Sequence, residues 1–142
     1  MPETFEFKQS GDLEPALSDP AARKLSADKL IGHWVNTDPD TRGIAAIVIE
    51  RNDEHFTVGV QGVGVGGLID WPRTQATALA NLEEEAGQRA VALAADFELG
   101  FMRAETYFRV NKGVLVIVLF VTFRDDSGRS NYLNREFFYR RD

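Results

Sequence analysis

From Leu30 onward, apolar and polar residues alternate with a period of two, and short turn signals break the alternation at close intervals. This pattern constrains the fold more than any other feature of the chain. Successive side chains of a strand point to opposite faces of a sheet, so a sustained period of two marks one face for burial. Residues 31–37 read as a strand stopped by Asp38-Pro39-Asp40. Residues 43–51, rich in Ile and Val, form a second strand, and Asn52-Asp53-Glu54 turns the chain into a third at 55–61. Residues 62–67 read as a glycine-rich connection. Residues 68–71 resume extended structure, and Pro72 marks a bend or an edge. Further strands are expected at 74–82, 89–99, 101–111, 114–124 and 130–140. The turns between them fall at Ala86-Gly87, Gly100, Lys112-Gly113 and Asp125-Asp126-Ser127-Gly128. About eight antiparallel strands joined in sequence predict an all-β, up-and-down barrel whose interior is filled or holds one small ligand. Closure also removes the sheet edges that so apolar a sheet would otherwise expose. A two-sheet sandwich is the competing all-β arrangement.

One stretch opposes this reading. Residues 75–96 hold eight alanines together with Glu83, Glu84 and Glu85, a composition that favours helix. Two strands are preferred because Val91, Leu93, Ala95, Phe97 and Leu99 alternate with Ala90, Ala92, Ala94, Asp96 and Glu98, and Gly87 would sit badly within a helix. Residues 1–29 differ from the rest. They mix charge, Pro2, Pro15 and Pro20 with few large apolar groups, and they read as an N-terminal arm, partly helical or disordered. Ser18-Asp19-Pro20 and Ser26-Ala27-Asp28-Lys29 can each begin a helical turn. The domain organisation is therefore an arm over 1–29 and a barrel over 30–142.

Composition bounds the function. The 142 residues suit one domain, and the net charge of −6 leaves no basic face for nucleic acid or an anionic membrane. Cysteine is absent, which excludes disulfides, thiolate catalysis and cysteine-ligated metal centres, and fits a reducing compartment. The longest apolar run, residues 114–121, is too short to span a bilayer, and the polar N-terminus has no secretory character. A cytoplasmic protein is expected.

Leu30-Ile31-Gly32-His33-Trp34-Val35-Asn36 resembles the opening strand of the calycins, the group that includes lipocalins and avidins. Lipocalins begin with Gly-x-Trp after a short helical turn, and avidin-type barrels with Gly-x-Trp-x-Asn; Gly32, Trp34 and Asn36 match the longer pattern. The resemblance implies an eight-stranded barrel that holds a small hydrophobic or amphipathic molecule at one end. It implies that Trp34 closes the barrel floor and that Asn36 offers a polar contact to the ligand. It further implies an arginine of the last strand stacked over Trp34, for which Arg135 and Arg140 both qualify.

Other candidates come from the residues themselves. Trp34 and Asn36 lie two apart and share a face. A buried Asn36 amide needs partners, which a ligand, an internal water or the turn at 37–40 could supply. Trp71 ends the glycine-rich region, where an aromatic would form a pocket wall or a gate, and Asp70 beside it is a candidate acid, base or electrostatic anchor. The glycine run lacks the helix start and lysine of a phosphate cradle. His33 faces away from Trp34, and neither it nor His55 suggests a triad or a metal centre. Asp38, Asp40, Asp125 and Asp126 read as turn acids, so no metal and no cofactor is implied. The last strand carries Tyr132, Asn134, Glu136, Phe138 and Arg140 on one face, and Leu133, Arg135, Phe137, Tyr139 and Arg141 on the other.

The expected ligand-binding residues are Trp34, Asn36, Trp71, Met102, Phe108 and Tyr132, around a small apolar, polyketide-like molecule. Three functions stay open. The first is a binding barrel. The second is a cofactor-independent cyclase or isomerase, including the cycloaddition type, in which Asp70, Tyr132 or Asn36 would polarise a carbonyl or move a proton. The third is a structural module that uses its strand exteriors and arm as a homodimer.

Overall fold

The computed structural model describes residues 27–53, 55–80 and 91–141. The expected arm, apart from the turn at 27–30, lies outside the described residues, as does the expected Ala86-Gly87 turn. Among the described residues nine strands follow one another: β1 (Gly32–Asn36), β2 (Ile44–Asn52), β3 (His55–Gly64), β4 (Gly67–Asp70), β5 (Thr74–Leu79), β6 (Ala92–Glu98), β7 (Met102–Asn111), β8 (Val114–Phe123) and β9 (Tyr132–Arg141). All pairings are antiparallel. The order β2-β1-β9-β8-β7-β6-β5-β3, with β2 also paired to β3, closes an eight-stranded up-and-down barrel, and β4 is an additional strand on β3. No helix occurs among the described residues, and none is long and apolar enough to cross a membrane.

The alanine-rich stretch supplies strands at both its ends, β5 and β6. Leu93, Ala95 and Phe97 turn inward and are buried, while Asp96 and Glu98 between and beyond them are exposed. Burial of that face outweighs the helical preference of alanine. The Lys112-Gly113 turn has both residues at positive φ, 53° and 81°, as a two-residue hairpin with the twist of its flanking strands requires.

The glycine-rich segment departs from expectation. β3 runs on through Gly62 and Gly64, and the connection shrinks to a hairpin tip at Val65 and Gly66. Gly62 and Gly64 lie on the inward face of β3. A side chain at Gly62 would strike the Trp71 indole, with its Cβ 2.5 Å from Nε1, and one at Gly64 would strike Ile69. The two glycines are therefore notches in a strand that let large side chains of the neighbouring strand lie across it.

One end of the barrel is solid. Trp34, Ile47, Ile49, Leu93, Phe108, Leu115 and Phe138 are almost wholly inaccessible there. The Trp34 indole N–H donates to the Leu30 carbonyl at 3.0 Å, and the Ala27–Leu30 turn is closed by Leu30 N–H donating to Ala27 O at 2.8 Å. Arg140, not Arg135, lies over the Trp34 ring, 4.4 Å from its centroid, and donates to the carbonyls of Lys29 and Ile31. The inward face of β9 is the one carrying Glu136, Phe138 and Arg140; Leu133, Phe137 and Tyr139 are exposed on the outside.

The notch makes a prediction. Gly62→Val will lower the denaturant midpoint by the equivalent of about 1–3 kcal/mol and shift tryptophan emission, because Trp71 must move. Gly66→Ala, whose Cβ meets open space, will change stability by less than about 0.5 kcal/mol. Equal midpoints for the two variants would show that Trp71 does not lie across Gly62.

Candidate functional site

The opposite end of the barrel is hollow. The ends of β3, β4, β6 and β8 and the starts of β2, β7 and β9 surround a cavity of about 420 Å³, within the ~300–1,000 Å³ usual for small-molecule sites. Its walls are apolar: Ile69 and Trp71 on one side, Met102, Leu119 and Phe123 on the other.

Trp71 is placed by three local features. Its N–H donates to Val60 O at 2.9 Å, which keeps the chain against β3 for one residue beyond β4. Pro72 has no N–H to continue the ladder, so the chain breaks before β5 resumes it. Gly62 then leaves room for the indole, which meets the edge of Phe97 at a centroid distance of 5.2 Å and an interplanar angle of 66°. β4 pairs with β3 alone, so no ladder joins it to the end of β6. The Trp71–Phe97 contact spans that gap in the wall.

Tyr132 begins β9 and stands at the mouth, its ring 6.0 Å from that of Phe123. Its phenol is held above the ordinary tyrosine range, first by partial burial and then by the negative charge of Glu136. It is therefore a protonated donor at neutral pH. Arg129 folds back from the β8–β9 turn onto the faces of Phe123 and Phe101, at 4.1 and 5.6 Å. It is held there by Asp125 Oδ2 and Ser127 Oγ, each at 2.9 Å. The Ser127 hydroxyl and then Arg129 keep the Asp125 carboxyl below the usual carboxylate range. Arg42 completes the rim from the β1–β2 loop.

Beneath the rim lies a buried carboxylate. Glu136 Oε1 accepts from Asn36 Nδ2 at 2.9 Å and Thr41 Oγ at 2.8 Å, and the Ile44 N–H points at both oxygens at 3.3 Å. Gly43 is needed beside it, because a Cβ there would fall 2.5 Å from Oε2. Asn36 also donates to Ile44 O at 2.8 Å and accepts from the Asp38 N–H at 2.8 Å. Its polar atoms are thus engaged by the protein, and its turn-capping role is the one realised.

Of the residues singled out in the sequence, Trp71, Met102 and Tyr132 come together on the mouth cavity. Trp34 and Phe108 are buried toward the other end, Trp34 also bordering with Asp70 and Trp71 a second cleft of about 490 Å³, and Asn36 belongs to the Glu136 network. Asn36 and Tyr132 also border a neighbouring cleft of about 640 Å³ between the β1–β2 loop and β9. Asp70 faces the other way. It is exposed on the outside of β4 and accepts from Gln61 Nε2 at 3.1 Å, since adjacent strand residues take opposite faces and Trp71 takes the inner one. His33 and His55 are exposed, and His55 Nδ1 lies 2.7 Å from Gln75 Nε2. Among the described residues no group of three His, Asp or Glu could hold a metal.

Arg42, Phe123, Arg129 and Glu136 were not predicted as site residues. The parity of Phe123 with Val121 gives its inward direction, but nothing local shows Arg129 folding back or Glu136 reaching two other elements. A comparison of the chain with protein-family models, curated proteins and solved structures finds no match.

Tyr132 yields a measurable consequence. In an alkaline titration followed by ultraviolet absorbance, one phenol will ionise later than the others, and Tyr132→Phe will remove that late component. Because the folded-state pKa is raised, any stability tied to this group is present below the ordinary tyrosine range near ~10 and is lost as pH rises through the folded value. A late component that survives in Tyr132→Phe would place the shielded phenol elsewhere.

Proposed function

We propose that the protein binds a small apolar or amphipathic molecule in the open end of its barrel. The observation that carries this reading is the mouth cavity itself. A barrel packed solid at one end keeps a void of about 420 Å³ at the other, and close packing is the rule where no ligand is accommodated. The Trp34–Arg140 stack at the base supports reading the chain as calycin-like, with the ligand at the end away from the tryptophan.

Only one of the two tryptophans lines the mouth cavity. Trp71 borders the cavity and Trp34 is buried in the floor. Titration with a lipophilic probe such as 1-anilinonaphthalene-8-sulfonate will quench or shift the emission of Trp71. The response will vanish in Trp71→Phe, while probe binding followed by its own fluorescence weakens by about threefold to tenfold, equivalent to about 0.6–1.4 kcal/mol. An unchanged tryptophan response in that variant would remove the mouth from consideration as the binding site.

One observation favours a second reading, isomerisation or cyclisation of the bound molecule without a cofactor. Tyr132 places a protonated phenol at the rim of an apolar cavity, where a hydrogen bond to a substrate carbonyl is strengthened by the surroundings. The reaction would conserve atoms, with the phenol as a donor whose proton is returned. A product of equal mass and altered retention time, lost by about a hundredfold in Tyr132→Phe with binding retained, is the expected result. Turnover that persists in Tyr132→Phe would exclude the phenol from that role.

A further inference from the structure

The mouth cavity is apolar in its body and one-sided in its polar chemistry. Four polar side chains reach its wall: Arg42, Trp71, Arg129 and Tyr132. Each can donate a hydrogen bond, and two are permanent cations. Among the described residues no carboxylate lies on the wall, although the chain as a whole carries 22 acidic residues against 16 basic ones. Three acids near the mouth are engaged by their own partners. Asp125 is turned to Arg129 and Ser127, Asp38 caps Asp40 N–H, and Glu136 is buried among its own donors.

The two cations differ in readiness. Arg129 is fixed on two aromatic faces and already paired with Asp125. Arg42 is exposed, and among the described residues no acid lies within ion-pair distance of it. Tyr132 lines the same cavity with its proton retained. A neutral hydrocarbon would leave these donors to water alone. A molecule with an acceptor at its outer end would engage them while its body fills the apolar interior.

We infer that the ligand is an amphipathic carboxylate, an apolar chain or ring system whose anionic head group sits at the rim between Arg42 and Tyr132. This inference rests on the binding reading above and adds the head group to it.

Decanoate and decanol test it, because they share a chain and differ in charge. Binding of each to the full chain is measured by titration calorimetry and by Trp71 emission, with Arg42→Gln and Arg42→Lys beside the natural protein and thermal melts to confirm that each variant folds. The expected result is that decanoate binds at least about tenfold more tightly than decanol, as a hydrogen bond to a charged group warrants. Arg42→Gln will remove about tenfold of the decanoate affinity and change decanol by less than about twofold, and Arg42→Lys will recover part of the loss. If decanol binds as well as decanoate and Arg42→Gln moves neither, the anionic head group is overturned while the binding site stands. If neither molecule binds the natural protein, the binding reading falls and this inference falls with it.

Discussion

The barrel depends on the seam where the first strand meets the last. β1 has five residues and must hold β2 on one side and β9 on the other. Its partners in β9 are about a hundred residues away, so this closure carries a large loop entropy that short-range hairpins do not. Two inward side chains of β9 reinforce it. Arg140 covers Trp34 and donates to the backbone on the approach to β1. Glu136, four residues earlier, gathers Asn36 of β1, Thr41 of the loop and the Ile44 N–H of β2. Each side chain therefore ties the last strand to the first at a different height. Removing Glu136 would leave several donors buried without an acceptor, which costs more than the bonds themselves return.

With the seam closed, the interior divides by side-chain size. Toward the floor the inward positions carry Trp34, Phe56, Phe108 and Phe138, and they fill the tube. Toward the mouth β3 supplies Gly62 and Gly64, and β7 opens with Met102 and Ala104. Ile69 and Trp71 lean into the space the glycines leave without filling it. The unladdered gap between β4 and β6 lies in the same region, so among the described strands the hollow end is also where the wall has a break in its ladder. Low local contact density of this kind is where proteins open most readily. Trp71 covers that gap by a single edge contact with Phe97.

Much of this was legible in the residues, and the physical reason is the period of two. It placed Met102 and Phe108 on one face of β7, set His33 opposite Trp34, and made Lys112-Gly113 a hairpin. Asp70 could have been turned outward by the same rule, since Trp71 beside it is the inward residue. The glycine run misled because glycine marks both loops and close approaches. Only the partner strand shows that Gly62 and Gly64 answer to Trp71 and Ile69. Asn36 was legible as buried and polar, but its partners lie at Ile44 and Glu136, beyond the reach of local pattern. Arg129 was hidden for a related reason: a turn read from Asp125-Asp126-Ser127-Gly128 says nothing about where the next side chain folds.

The donor-rich rim bears on selectivity as well as affinity. An anion approaching a chain of net charge −6 is repelled in the far field, but that field decays over ~8 Å at physiological salt. Near the mouth the local groups decide, and these are Arg42, Arg129 and Tyr132. A small inorganic anion would meet the donors but bury no apolar surface against the walls. A hydrocarbon would gain burial against Met102, Leu119 and Phe123 but offer nothing to the donors. The two contributions add only for a molecule carrying both an apolar body and an acceptor, with the body inside and the head at the rim. Arg129 is already immobilised by Asp125 and the aromatic faces beneath it, so that part of the rim need not be ordered when such a molecule binds.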